Sequence, residues 1–124
     1  MSRVLVFDDT RSARSYCADL AHDGHEVLTA TSGTEAMRLV RDRTPDAVVM
    51  EIRLGAENGL TYLRHMVEAD PQLPVIIYTS CSAYRDDFSS WLAAAYLDKD
   101  GDTADLRRAL HDLIAARYAS DRGA

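Results

Sequence analysis

The chain has 124 residues, 47% of them hydrophobic, and a net charge of -6. That length suits one domain with one substantial core, and no apolar run approaches the ~20 residues of a membrane span. The acidic balance argues against a nucleic-acid partner, because phosphate backbones are bound by clustered Lys and Arg.

Met1-Ser2-Arg3 leads straight into a strand rather than a signal peptide, so the expected setting is cytoplasmic. Val4-Leu5-Val6-Phe7 reads as a buried strand stopped by Asp8-Asp9. From about Thr10 to Asp23, Ala13, Cys17, Leu20 and Ala21 recur at helical spacing, and Gly24 supplies the stop. Glu26 to Ala30 is a second strand. Ser32-Gly33-Thr34-Glu35 has the capping-box spacing that opens a helix, with Ala36, Leu39 and Val40 inward. Pro45 to Glu51 is a short apolar run with the β-branched content of a strand buried on both faces, ending in one carboxylate.

Ile52 to Gly59 reads as a turn-rich loop, followed by a helix carrying Leu60, Leu63 and Val67 inward. Asp70-Pro71-Gln72-Leu73-Pro74 breaks that helix, since proline cannot continue it. A fourth strand, Val75 to Tyr78, ends at Thr79-Ser80. The next helix places Tyr84, Phe88, Trp91 and Leu92 on one stripe, expected to face the core. A fifth strand, Ala95-Tyr96-Leu97, runs into Asp98-Lys99-Asp100-Gly101. The closing helix starts near Thr103 and buries Leu106, Leu110, Leu113 and Ile114, with Ala119 to Ala124 expected to fray. Five strand-helix alternations with short connections predict an α/β fold: a five-stranded parallel sheet, right-handed crossovers and helices on both faces. One domain is expected over 1–124, with its core at about 3–118.

In such a sheet the carboxyl ends of the strands form one edge, where ligands collect. Asp8, Asp9, Glu51, Thr79 and Lys99 all fall there. Acids of this kind suit Mg2+, a hard ion that takes carboxylate and water oxygens, while Lys99 and Thr79 suit phosphoryl oxygens. The set therefore points to phosphoryl transfer, with weak Mg2+ binding on Asp8, Asp9 and Glu51. A static alternative is a plain Glu51–Lys99 ion pair with no chemistry. Asp8 and Asp9 also read as acids beside a helix amino end, although one acid would serve for that. Cys17 and Cys81 are assigned to packing. His22, His25, His65 and His111 have no site-like spacing.

Taken together, Asp8-Asp9, the run from Glu51 to Gly59, Thr79, Tyr96 and Lys99 resemble the receiver domain of two-component response regulators, and the resemblance covers Val4 to about Tyr118. It implies a flavodoxin-like (βα)5 fold and an acidic pair that binds Mg2+. It implies that a histidine kinase phosphorylates the strand-three aspartate, that Thr79 and Lys99 contact the phosphoryl group, and that Thr79 and Tyr96 form the switch, Tyr96 by a change of rotamer. The phosphoacceptor position, however, holds Glu51. Gly55 stands where that family usually has proline, and Asp100 stands where a cis proline is common, so a trans peptide is expected after Lys99.

The expected function is a stand-alone, non-enzymatic signalling module, a pseudo-receiver whose output is independent of phosphate or constitutively biased and runs through protein contacts. Its partner would be a histidine kinase, a downstream effector or a second copy. The contact face would be formed by helix four, strand five and helix five, including Tyr84 to Trp91, Asp98 and Arg107-Arg108. A working receiver is the alternative. A haloacid-dehalogenase-type phosphatase fits less well, because it needs two aspartates separated by one residue.

Overall fold

A computed structural model describes residues 2–81 and 91–123, with side chains described as far as residue 119. In order, the elements are β1 (Arg3–Phe7), α1 (Ser12–His22), β2 (Glu26–Ala30), α2 (Gly33–Arg43), β3 (Ala47–Met50), β4 (Arg53–Leu54), β5 (Glu57–Asn58), α3 (Leu60–Ala69), β6 (Val75–Thr79), β7 (Ala95–Asp98) and α4 (Ala104–Gly123). The expected five-stranded parallel sheet is present, in the order β2-β1-β3-β6-β7.

Alternate residues of each central strand feed opposite faces. Leu5, Phe7, Val48, Met50 and Ile77 pack under α2 and α3 against Ala36, Leu39, Val40, Leu63 and Met66. Val4, Val6, Val49, Ile76 and Tyr78 pack under α1 and α4 against Tyr16, Leu20, Leu106, Leu110 and Ile114. Burial on both faces explains why β1, β3 and β6 read as continuous apolar runs.

The capping box opens α2: Ser32 Oγ accepts from the Glu35 N–H at 3.2 Å, and the Glu35 carboxylate accepts from the Thr31 N–H at 3.0 Å. Gly24 closes α1, its N–H donating to the Ala21 carbonyl at 3.0 Å.

Several expectations are corrected. Ala21 is exposed, and the inward line of α1 instead runs through Tyr16 and Leu20, because Ala21 lies ~100° around the helix from Leu20. On α3, Met66 is buried and Val67 only half-buried. The 52–59 loop folds into a small antiparallel hairpin, β4 on β5. Ala119 to Gly123 continue α4, with no proline to stop the helix and glycine only at its last turn. Trp91 and Leu92 are 70% and 48% exposed rather than core, since they precede the first paired residue of the edge strand β7. Tyr84 and Phe88 lie outside the described residues.

Candidate functional site

Parallel order β2-β1-β3 makes the chain reverse direction across β1, and the crevice between β1 and β3 at their carboxyl ends is where such folds bind ligands. The ladder continues past the strand ends. Asp8 N donates to the Ala30 carbonyl at 3.1 Å, Glu51 N to Phe7 at 3.0 Å, and Lys99 N to Thr79 at 2.9 Å. Backbone pairing thus positions all three charged residues before their side chains interact.

The side chains then close on one another. Lys99 Nζ donates to Asp8 Oδ2 at 2.7 Å, Thr10 Oγ1 at 3.1 Å and Glu51 Oε1 at 3.2 Å. The Lys99 side chain is only 9% exposed, and its ammonium lies 5.7 and 5.9 Å from the ring centroids of Tyr16 and Tyr78. Those rings meet edge to face at 5.1 Å, so the cation passes an aromatic wall that favours it. Tyr16 Oη donates to Asp8 Oδ2 at 2.5 Å, and the Thr10 N–H donates to Asp8 Oδ1 at 2.8 Å. Burial first, and the Asp8 charge second, push the Tyr16 phenol far above its ordinary range, so it stays a donor at physiological pH. Burial also pushes the Cys17 thiol up to about 11, which fits its packing role.

Glu51 is 4% exposed. Its Oε2 turns back to accept from the Ile52 N–H at 2.7 Å, and its Oε1 is held by Lys99. Gly59 lets the hairpin return close to the end of β3, because a Cβ there would lie 2.4 Å from the Glu51 carbonyl oxygen, a separation backbone atoms cannot accept. Gly55 has φ +59°, which proline with its φ near -65° cannot adopt, so the hairpin after β3 requires the departure seen in the sequence. All described peptide bonds, including the one after Lys99, are trans.

Asp9 takes no part in this cluster. It is exposed, its Oδ2 about 3.6 Å from where a Gly55 Cβ would stand, and with Thr10, Arg11 and Arg14 it lines an open depression of about 510 Å³. Thr79 is buried, but its hydroxyl accepts from the Cys81 N–H at 3.1 Å. Tyr96 is half-buried and donates from its hydroxyl to the Cys81 carbonyl at 2.6 Å. The two expected switch residues therefore bracket one peptide segment after β6.

The oxygen donors suit Mg2+ by type, but not by arrangement. Three donors already share the Asp8 carboxylate, both Glu51 oxygens are engaged, and Asp9 faces away. Among the described residues no three His, Cys, Asp or Glu side chains are grouped to hold a metal ion. The expected three-acid site is thus not assembled, and Lys99 supplies the positive charge in its place. Sequence reading missed Tyr16, Thr10 and the Cys81 backbone. Tyr16 stands three residues after Ala13 and four before Leu20, a helical spacing that marks the inner face, but nothing in the spacing announces its bond to Asp8.

Residues 4–111 match the response regulator receiver domain family. Response regulator MprA of Mycobacterium sp. (strain KMS) is 32% identical over 118 residues, covering 94% of this chain and 49% of MprA, so the chain spans about half that relative's length. Response regulator TrrA of Thermotoga maritima, solved in complex with Mg2+-BeF, matches with a TM-score of 0.85 at 30% identity, over 91% of this chain and 99% of that one. TrrA has also been solved in complex with the histidine kinase ThkA. A CheY-like receiver domain protein from Methanospirillum hungatei JF-1 shares the fold, with a TM-score of 0.89 at 21% identity over 97% of this chain and 98% of that one. No helix among the described residues is long and apolar enough to cross a membrane. With a family match running from β1 into α4, this chain belongs to the receiver domains of two-component response regulators.

Proposed function

We propose that this chain is an atypical, cytoplasmic receiver, a non-enzymatic module whose output does not wait for phosphorylation. One observation carries the reading: at the acceptor position the Glu51 carboxylate is buried with both oxygens engaged, one by the Ile52 N–H and one by Lys99. A phosphoryl acceptor must present a free oxygen in line with the leaving group, and small misplacements cost ~100-fold in rate. Glu51 also brings one negative charge against the ~2 of a phosphate, so its pairing with Lys99 imitates part of the phosphorylated state. Mg2+ at Asp8, Asp9 and Glu51 is expected to be weak, because it competes with Lys99 for the Asp8 and Glu51 oxygens and Asp9 stands apart from them. Incubation with acetyl phosphate and Mg2+ should leave the intact mass unchanged. A gain of one phosphoryl group mapped to Glu51 would overturn the reading.

The partner is a protein, either a histidine kinase, a downstream effector or a second copy, and not a nucleic acid. The contact face consists of the segment before β7, β7 itself and α4. Exposed Trp91 and Leu92 ahead of β7 support this choice, since aromatic side chains are enriched at protein interfaces, and Asp98 on β7 and Arg108 on α4 are exposed as well. Arg107 leaves the expected face: it forms a two-pronged ion pair with Asp23 at 2.7 and 2.6 Å, and the Arg107 guanidinium holds the Asp23 carboxyl below the usual range. Charge reversal at Arg108 alone should weaken self-association by about fivefold in sedimentation velocity, the scale of rim charge contacts. Equal self-association of wild type and the Arg108 reversal would remove this face.

A further inference from the structure

We infer that Tyr16 is a positioning residue that holds the acid site closed to cations by occupying Asp8. Three observations converge. Tyr16 is buried and its hydroxyl makes a 2.5 Å bond to the Asp8 oxygen that also receives Lys99. Its ring stands edge to face on Tyr78, and both rings flank the Lys99 ammonium, so hydroxyl, rings and cation form one unit around a single carboxylate. Steric confinement does not explain the placement of Lys99, because a cavity of about 150 Å³ lined by Ser12, Ser15, Gly101 and Thr103 adjoins it. Lys99 stays on Asp8 through charge and through the geometry that Tyr16 imposes.

A carboxylate oxygen offers two lone-pair directions, and Tyr16 with Lys99 fills both on Oδ2. The Thr10 N–H takes one on Oδ1, which leaves a cation a single free direction. Removing only the phenolic oxygen returns one direction and frees Asp8 to rotate. It keeps the ring, its contact with Tyr78 and its face toward Lys99.

This inference rests on the receiver reading of the acid site. The test is a titration of the whole chain with Mg2+ alone, by calorimetry and by NMR of the Lys99 ammonium, in wild type, Tyr16→Phe and Tyr78→Phe. Tyr16→Phe should bind Mg2+ about tenfold more tightly than wild type, the scale of a lost hydrogen bond to a charged group, and its Lys99 signal should shift as metal is added. Tyr78→Phe, which keeps the Asp8 contact, should match wild type. A second measurement needs no variant: the Tyr16 hydroxyl proton, sheltered by Asp8, should be visible by NMR in wild type and lost as Mg2+ saturates. Equal affinities in wild type and Tyr16→Phe, or a hydroxyl signal unmoved at saturation, would overturn the proposal. Phosphorylation of wild-type Glu51 would instead defeat the phosphate-independent reading and leave the Tyr16 result standing.

Discussion

Glu51→Asp is expected to make a protein that ignores beryllofluoride bind it together with Mg2+, and to raise reaction with a small phosphodonor at least ~100-fold. The shorter side chain withdraws the carboxylate by roughly 1.5 Å, one C–C bond. At that length Oε1 gives up its 3.2 Å contact with Lys99, and the fold-back bond to the Ile52 N–H at 2.7 Å is broken or reshaped. Space opens beside Asp8, and the anionic mimic draws Lys99 away from it. NMR spectra of both proteins with and without beryllofluoride and Mg2+ decide the matter. A silent variant would mean that the Gly55 hairpin and the Tyr16–Asp8 bond have altered the site beyond its acceptor, and the protein would be better described as a scaffold with a receiver's fold.

Lys99→Met should cost about 3 kcal/mol of stability, since removing one partner of a buried ion pair strands the other charges. Lys99 is 9% exposed and touches two carboxylates that are themselves almost fully buried, so solvent can do little to compensate Asp8 and Glu51 for its loss. Set against a typical total of ~5–15 kcal/mol, the shift in a urea melt would be large. Glu51→Gln combined with Lys99→Met should recover part of the loss, because the double variant removes one stranded charge along with its partner. A single variant that loses under about 1 kcal/mol would show the cluster to be solvated in solution, and Lys99 would then not be what neutralises the acids.

Much of the fold is legible in the sequence. The apolar runs at Val4 to Phe7, Ala47 to Met50 and Val75 to Tyr78 are strands buried on both faces, and burial on both faces removes the polar alternation that would mark a half-exposed strand. The capping box at Ser32 and the stop at Gly24 worked through local hydrogen bonds, which depend on neighbours in sequence alone. Convergence of Asp8, Glu51 and Lys99 followed from parallel strand order, since each sits just past a strand end.

Trp91 differs. Whether its side chain meets the core depends on what lies beyond β7, the sheet's edge, which residue spacing does not record. The same limit applied to the chemistry. Sequence alone determined a receiver fold with a glutamate at the acceptor position and acids, hydroxyl and ammonium at one sheet edge. Only the tertiary structure decided that one ammonium bridges Asp8 and Glu51, that Asp9 turns toward the hairpin and that Tyr16 donates to Asp8. Those outcomes depend on side-chain directions and on contacts up to 91 residues apart in the chain, such as Lys99 on Asp8, and such contacts are set by packing across the sheet rather than by any local pattern.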